Sequence, residues 1–203
     1  MADPQPAGVL DERILATFLA LLAEARASKD PEPTAMTLAT VGAQGQPSAR
    51  TVLLKDVDAR GFVFYTNHDS RKGRQLAVEP RAALLFHWKW LRDGVQVKIE
   101  GRAETVSDAE ADLYFDSRPR ASQAGAWASL QSQTLASREV LEERLREVEL
   151  RFAGQPITRP QNWSGFRIVP SLVEFWYGAR HRLHERRRHE LLDGHWQERM
   201  LYP

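Results

Sequence analysis

Cysteine is absent from all 203 residues. Disulfides, thiolate metal ligands and cysteine nucleophiles are excluded with it, which fits a reducing compartment. Charge of one sign is not in excess: 28 Lys and Arg stand against 27 Asp and Glu. Dedicated nucleic-acid binders are usually basic overall, so nucleic acid is not the expected partner. No apolar run is long enough to span a bilayer. The opening stretch MADPQPAGVLDERIL lacks a basic segment followed by an apolar one. A cytoplasmic protein with no membrane partner is the expectation. The sequence also lacks G-x-G-x-x-G, G-x-x-x-x-G-K-[ST] and G-x-S-x-G. Dinucleotide folds, P-loops and nucleophile elbows fall away with them.

What is present is a run of short β-type segments. MTLATV (36–41), ARTVLLKDV (49–57), GFVFYT (61–66) and AALLFHW (82–88) are rich in β-branched and aromatic residues. GAQGQP and DARG supply turns between them. VQVKIEG (95–101) alternates, with Val95, Val97 and Ile99 facing a core and Gln96, Lys98 and Glu100 facing away. A last strand is expected over 166–176. Short connections predict an antiparallel sheet closing towards a barrel. Helices flank it. Ile14, Phe18, Leu21, Leu22 and Ala25 predict one over 10–27, after a mobile Pro- and Ala-rich start at 1–9. Ser70 caps a second from Arg71 to about Val78. Ser107 and Glu110 form a capping box for a third. Leu141, Leu145, Val148 and Phe152 mark a fourth. The class is mainly β with flanking helices (α+β), organised as an N-terminal arm and helix (1–33) followed by one domain (34–203).

The chemistry is carried by scattered cations. EFWYGARHRLHERRRHE (174–190) packs five arginines among three histidines, and nucleic acid, metal and an anionic ligand compete as readings. His184-Glu185 and His189 approach the zinc motif H-E-x-x-H, but i,i+5 positions do not share a helix face. Five guanidinium groups would also repel a divalent ion, so no metal is expected. Arg71 and Lys72 stand where a strand hands over to a helix, and a helix N-terminus attracts anions. Arg50 and Lys55 bracket TVLL. Arg118 and Arg120 lie in YFDSRPRASQAGAWASLQS, which reads either as a ligand-facing segment or as a polar loop around a core Trp127. Four separated basic segments suit two phosphate groups, each charge-assisted hydrogen bond contributing roughly 1.5–3 kcal/mol.

PTAMTLATV, RTVLLKDVDARGFVFYTNHDSRKGRQL, VQVKIEG, SRPRASQAGAW, NWSGFRIVP and EFWYGARHRLHER together resemble the pyridoxine (pyridoxamine) 5′-phosphate oxidase family, from about residue 33 to the end. The resemblance implies an FMN-binding split barrel of antiparallel Greek-key type. It also implies a homodimer with FMN in the interface. By the same resemblance Arg50, Thr51, Val52, Leu53, Leu54 and Lys55 line the flavin. Tyr65, Thr66, Arg71 and Lys72 hold it, the last two at its phosphate. Gln96, Gln131, Ser132, Trp176 and Arg186 complete that site. Lys55, Tyr114, Arg118 and Ser122 grip the substrate phosphate. Arg182, Leu183 and His184 meet the substrate, with Arg182 and His184 over the ring as the catalytic pair. The implied reaction transfers a hydride from a B6 phosphate ester to flavin, with O2 as final acceptor. Alternatives are a split-barrel flavin oxidase of another ring, such as a phenazine precursor, and a flavin- or pyridoxal-phosphate-binding protein without turnover.

The spacing of Arg182, His184 and Arg186 suggests one side of an extended segment, with Arg187, Arg188 and His189 on a solvated or ion-paired surface. Three features depart from the family. Val95 stands where an Arg is usual, the preceding loop KWLRDG is about two residues longer, and Arg92 in that loop is the candidate to compensate. The N-terminal arm is short and lacks a basic, Tyr-containing segment. The chain ends RMLYP rather than Arg-Leu-x-Pro.

Overall fold

Asp11 accepts a hydrogen bond from the Arg13 N–H at 2.8 Å and starts helix α1, Glu12–Ala27, in the computed structural model. The structure describes residues 9–203; the mobile start expected at 1–9 lies, apart from Val9, outside the described residues. The strands are β1 (Ala35–Val41), β2 (Pro47–Leu53), β3 (Asp56–Asp58) and β4 (Gly61–Asn67). After helix α2 (Arg71–Val78) come β5 (Arg81–Trp88) and β6 (Val95–Thr105). Helices α3 (Asp108–Asp116), α4 (Arg120–Ala128) and α5 (Arg138–Arg151) precede β7 (Trp163–Tyr177), β8 (Glu185–Leu192) and β9 (His195–Leu201).

All ladders are antiparallel, in the order β2-β1-β5-β6-β7-β4-β3, with β8 on β7 and β9 on β8. Instead of one strand over 49–57, the chain breaks between β2 and β3. The Leu54 N–H donates to Thr34 O and the Lys55 N–H to Val63 O, each at 2.9 Å. Buried Leu54 pins this crossing, which joins the two ends of the strand path through the chain itself. A barrel closed by chain rather than by a ladder is split on that side, and Lys55 sits in the split.

Val95, Val97 and Ile99 are fully buried, as the alternation of β6 requires. They meet Phe18, Phe62, Phe64, Phe86 and Phe175 in the main core, to which α1 adds Ile14, Leu21, Leu22 and Ala25. The Phe18 ring stands edge-on to Phe62 at 4.9 Å. β6 bulges at Glu100/Gly101; a Cβ on Gly101 would lie 2.1 Å from Val169 O, so only glycine fits. A smaller core of Phe115, Ala124, Phe152, Ile157 and Trp163 holds α3, α4 and α5 against the start of β7. The segment 120–128 is helix rather than loop, and half-buried Trp127 packs on this smaller core beneath Arg151.

The capping box at Ser107 and Glu110 is formed in full. Glu110 also ties α3 to the barrel: buried Arg167 of β7 reaches Glu110 at 2.7 Å and Asp58 at 3.0 Å. Burial works against ionising Asp58, but hydrogen bonds from Arg60 and the charge of Arg167 hold its carboxyl below the ordinary value. Glu110 is held low by the Ser107 main-chain N–H and side chain, with Arg167 and Arg60 adding to it against burial. Both carboxylates thus contribute stability that is complete above the unfolded carboxyl range, about pH 4, and is lost as pH falls through their lower folded values. Ser107→Ala is expected to cost about 1 kcal/mol in urea unfolding at neutral pH. Glu110→Gln should flatten the loss of stability on acidification below about pH 4; a slope equal to that of the unaltered chain would count against this network.

Candidate active site

β4 ends at Thr66 and Asn67, and α2 begins at Arg71 with Ser70 as its cap, the Ser70 hydroxyl accepting from the Gly73 N–H at 3.2 Å. Gly73 is obligatory in this turn, because a Cβ there would lie 2.1 Å from His68 O. The tight turn aims Lys72 back across β4. Its Nζ donates to Thr66 Oγ1 at 3.1 Å and to Gln131 Oε1 at 2.9 Å, while Thr66 donates to the same Gln131 oxygen at 3.0 Å. Burial, then the charge of Arg50, lowers the Lys72 pKa. Arg50 is likewise lowered by burial and by Arg71.

These groups border a cleft of about 470 Å³, lined by Thr51, Val52, Leu53 and Lys55 from the β2–β3 crossing, Tyr65, Thr66 and Lys72, Tyr114, Arg118 and Ser122 from the helical layer, and Gln131. Eleven of the residues expected from the sequence line it, Ser122 among them. Leu54 is not: it faces the core. Arg50 turns instead to Thr40 Oγ1 at 2.6 Å, Ser48 Oγ at 2.8 Å and Gln75 Oε1 at 3.2 Å. Arg71 is exposed at the start of α2, and Ser132 is exposed with a left-handed backbone, φ 72°.

Two lining residues went unnoticed in the sequence, Trp163 and Pro119. Trp163 is the wall of the cleft. It stacks in line with Tyr65 at 5.4 Å, Tyr65 stacks on Tyr114 at 4.0 Å, and the Arg118 guanidinium lies over the indole at 4.5 Å. Its only sequence signal was an aromatic residue opening the NWSGF segment. Arg118 Nη1 is buried with no hydrogen-bond partner, and burial lowers its pKa. Among the described residues Arg50, Lys55, Arg71, Lys72 and Arg118 form no ion pair. Three of them, Arg50, Lys72 and Arg118, are half-buried, and uncompensated cations beside aromatic faces fit phosphorylated aromatic ligands.

The remaining expected residues gather elsewhere. Register makes Gln96 of β6, Trp176 of β7 and Arg186 of β8 direct neighbours in one cross-strand row. The His184 ring packs on Trp176 at 4.5 Å, tilted by 40°, and its Nδ1 accepts the Ala179 N–H at 3.1 Å. In the neutral ring Nε2 therefore carries the proton and can donate. The extended reading of 182–186 is corrected by the structure. Residues Arg180–Arg182 form a 3₁₀ turn closed by the Leu183 N–H on Arg180 O, and His181 and Arg182 have φ of 59° and 62°. Extended backbone begins only at Glu185. Arg182 and Leu183 are exposed on this turn. Arg187 pairs with Glu185 and Arg188 with Glu174, whereas His189 is half-buried edge-on to Phe175. His184 and His189 thus face different aromatic rings. Arg92, the candidate to compensate for Val95, pairs with Glu24 of α1 at 2.8 Å.

Trp163 and Trp176 stand at opposite ends of the fifteen-residue β7. At about 3.3 Å per residue that is on the order of 40 Å of strand, too far for one small ligand to bridge. The residues expected from the sequence therefore fall into two groups, one at each end of β7.

The fold and the cleft define a split-barrel protein equipped for phosphorylated ring ligands. Residues 21–152 match the pyridoxamine 5′-phosphate oxidase family, and residues 163–203 match the pyridoxine 5′-phosphate oxidase C-terminal dimerisation region. The chain belongs to the pyridoxine/pyridoxamine 5′-phosphate oxidase family, a family of enzymes. It is 60% identical over 191 residues to the pyridoxine/pyridoxamine 5′-phosphate oxidase of Xanthomonas euvesicatoria, covering 93% of this chain and 96% of that one. The Myxococcus xanthus enzyme of the same name is 58% identical over 186 residues, 92% and 89% of the two chains. Among solved structures, PhzG from Burkholderia lata, in complex with tetrahydrophenazine-1-carboxylic acid, aligns with a TM-score of 0.84 at 32% identity over 94% and 91% of the chains. A Nostoc punctiforme FMN-binding protein, 17% identical and with a TM-score of 0.74 over 97% and 100% of the chains, shares the fold. No helix among the described residues is long and apolar enough to cross a membrane.

Proposed function

We propose that the chain is an FMN-dependent oxidase converting pyridoxamine 5′-phosphate and pyridoxine 5′-phosphate to pyridoxal 5′-phosphate. O2 is the acceptor and H2O2 the by-product; the amine substrate also consumes water and releases ammonia. The observation that carries this reading is the convergence of unpaired cations in one aromatic-walled cleft, above all the partnerless Nη1 of Arg118.

Two phosphate sites follow from the charges. Lys72 and Arg71, at the α2 N-terminus, would hold the FMN phosphate, with Thr66 and Gln131 fixing Lys72 in place. Arg118, Lys55, Tyr114 and Ser122 would hold the substrate phosphate. Bound FMN would supply the two-electron redox chemistry of the oxidation. The protein contributes position and charge. Stacked Tyr65, Tyr114 and Trp163 exclude water along one wall. Gln96, Trp176 and Arg186, neighbours in one row, would complete the flavin site, and Arg182 and His184 would meet the substrate ring, with His184 Nε2–H available as a donor. Because the two groups of residues lie at opposite ends of β7, a homodimer that sets one chain's row against its partner's cleft is the arrangement this function needs; the matched dimerisation region supports it.

Purified protein is expected to be yellow. Excess pyridoxamine 5′-phosphate under nitrogen should bleach it, and admission of air should restore the colour with one peroxide per aldehyde. Protein that retains flavin but is not bleached would leave a binding function only. Bleaching by a reduced phenazine carboxylic acid, and not by the B6 amine, would move the substrate to that class.

A further inference from the structure

Glu174 sits in β7 on the face turned away from the core, yet it is only 5% exposed. The register explains why. Lys98 of β6 and Arg188 of β8 are its direct cross-strand neighbours, and Arg186 lies one row further along the same face. Three cations close over one carboxylate, and its two oxygens are shared unequally. Oε2 receives Lys98 Nζ at 3.6 Å and Arg188 Nη2 at 3.2 Å. Oε1 serves Arg186 alone, accepting from Nε at 2.8 Å, with Nη2 at 2.7 Å. Arg186 Nη1 donates in turn to Tyr202 O at 3.1 Å. One edge of the guanidinium is thereby fixed on Glu174 and a further corner on the C-terminal main chain. Side-on, two-nitrogen pairing fixes the plane of the fork as well as its place. Without the carboxylate, three like charges would share a half-buried face with nothing to gather them.

We propose that Glu174 is a positioning residue: its buried carboxylate sets the guanidinium of Arg186 in the row of Gln96 and Trp176, and so sets the affinity of that row for the flavin. This rests on the FMN site proposed above. Arg188, bound to the other oxygen, gathers charge on the same carboxylate but does not orient Arg186.

The test is a double-mutant cycle read as FMN dissociation constants by flavin fluorescence, with dimerisation and apo-protein melting followed in parallel. Glu174→Gln keeps the shape and removes the charge, and it is expected to weaken FMN by about tenfold or more. Arg186→Met should weaken it at least as much. The double variant should match Arg186→Met within about twofold, because Glu174 acts only through Arg186. Arg188→Met should stay within about twofold of the unaltered chain. Multiplying losses in the double variant, or full FMN affinity in a folded, dimeric Glu174→Gln, would overturn the proposal. If Glu174→Gln does not fold, Glu174→Gln with Arg188→Met, which removes one cation with the carboxylate, takes its place in the cycle. Should the unaltered chain bind no FMN, the functional reading itself falls. Should it bind FMN, with Arg186→Met weakening binding and Glu174→Gln not, only this inference falls.

Discussion

Arg118→Met is expected to raise KM for pyridoxamine 5′-phosphate by roughly 100-fold or more, since removing one partner of a buried charged contact typically costs 2–5 kcal/mol. The same variant should retain FMN, because Arg71 and Lys72 remain. With unphosphorylated pyridoxamine, which has no phosphate to lose, variant and parent should differ little. Stability should move the other way. Arg118 is half-buried, with its Nη1 atom buried and unsatisfied, a state that costs about 1–3 kcal/mol. Methionine keeps the contact with the Trp163 face and carries no donor to leave unpaired, so ligand-free Arg118→Met is expected to melt at or above the parent temperature. Steady-state kinetics with both substrates, beside apo-protein melting, check this. An equal KM increase with the phosphorylated and unphosphorylated substrate would remove Arg118 from the phosphate site.

Arg182→Lys should lower kcat by roughly 10- to 100-fold while leaving FMN content unchanged, the scale of loss when a positioning group is misplaced by about an ångström. Arg182 is exposed, has no ion-pair partner among the described residues, and follows His181 in left-handed backbone at φ 62°. Two successive non-glycine residues in that region are unfavourable and recur at functional turns. Lysine retains the charge but not the planar fork that can orient a ring. Rapid-mixing flavin reduction under nitrogen isolates the step. Loss of FMN with unchanged reduction per bound flavin would show instead that Arg182 serves the cofactor.

Much of this architecture was written in local pattern. The alternation of VQVKIEG set the inward face of β6, and Ser70 and Ser107 marked the starts of α2 and α3, because capping and pleat are short-range effects. β8 has no apolar alternation in ERRRHELL to mark it; its strand is held by the ladder to β7 and by Glu174 of that strand against Arg186 and Arg188. The 3₁₀ turn at 180–182 carries no apolar pattern either; a local hydrogen bond from Ala179 N–H to the His184 ring helps set its backbone. Nor does local pattern show that Arg92 pairs with Glu24, far away in the chain.

By itself, then, the sequence determined the α+β class, the inward faces of its strands, the caps of its helices and the inventory of cations available for phosphate. Only the tertiary structure decided which cations remain unpaired, that Trp163 walls the cleft, that Glu174 gathers Arg186 and Arg188, and that the expected residues divide between two ends of β7. The physical reason is range: a cap or an alternation is settled within a few residues, whereas burial and charge compensation depend on partners brought together from distant segments.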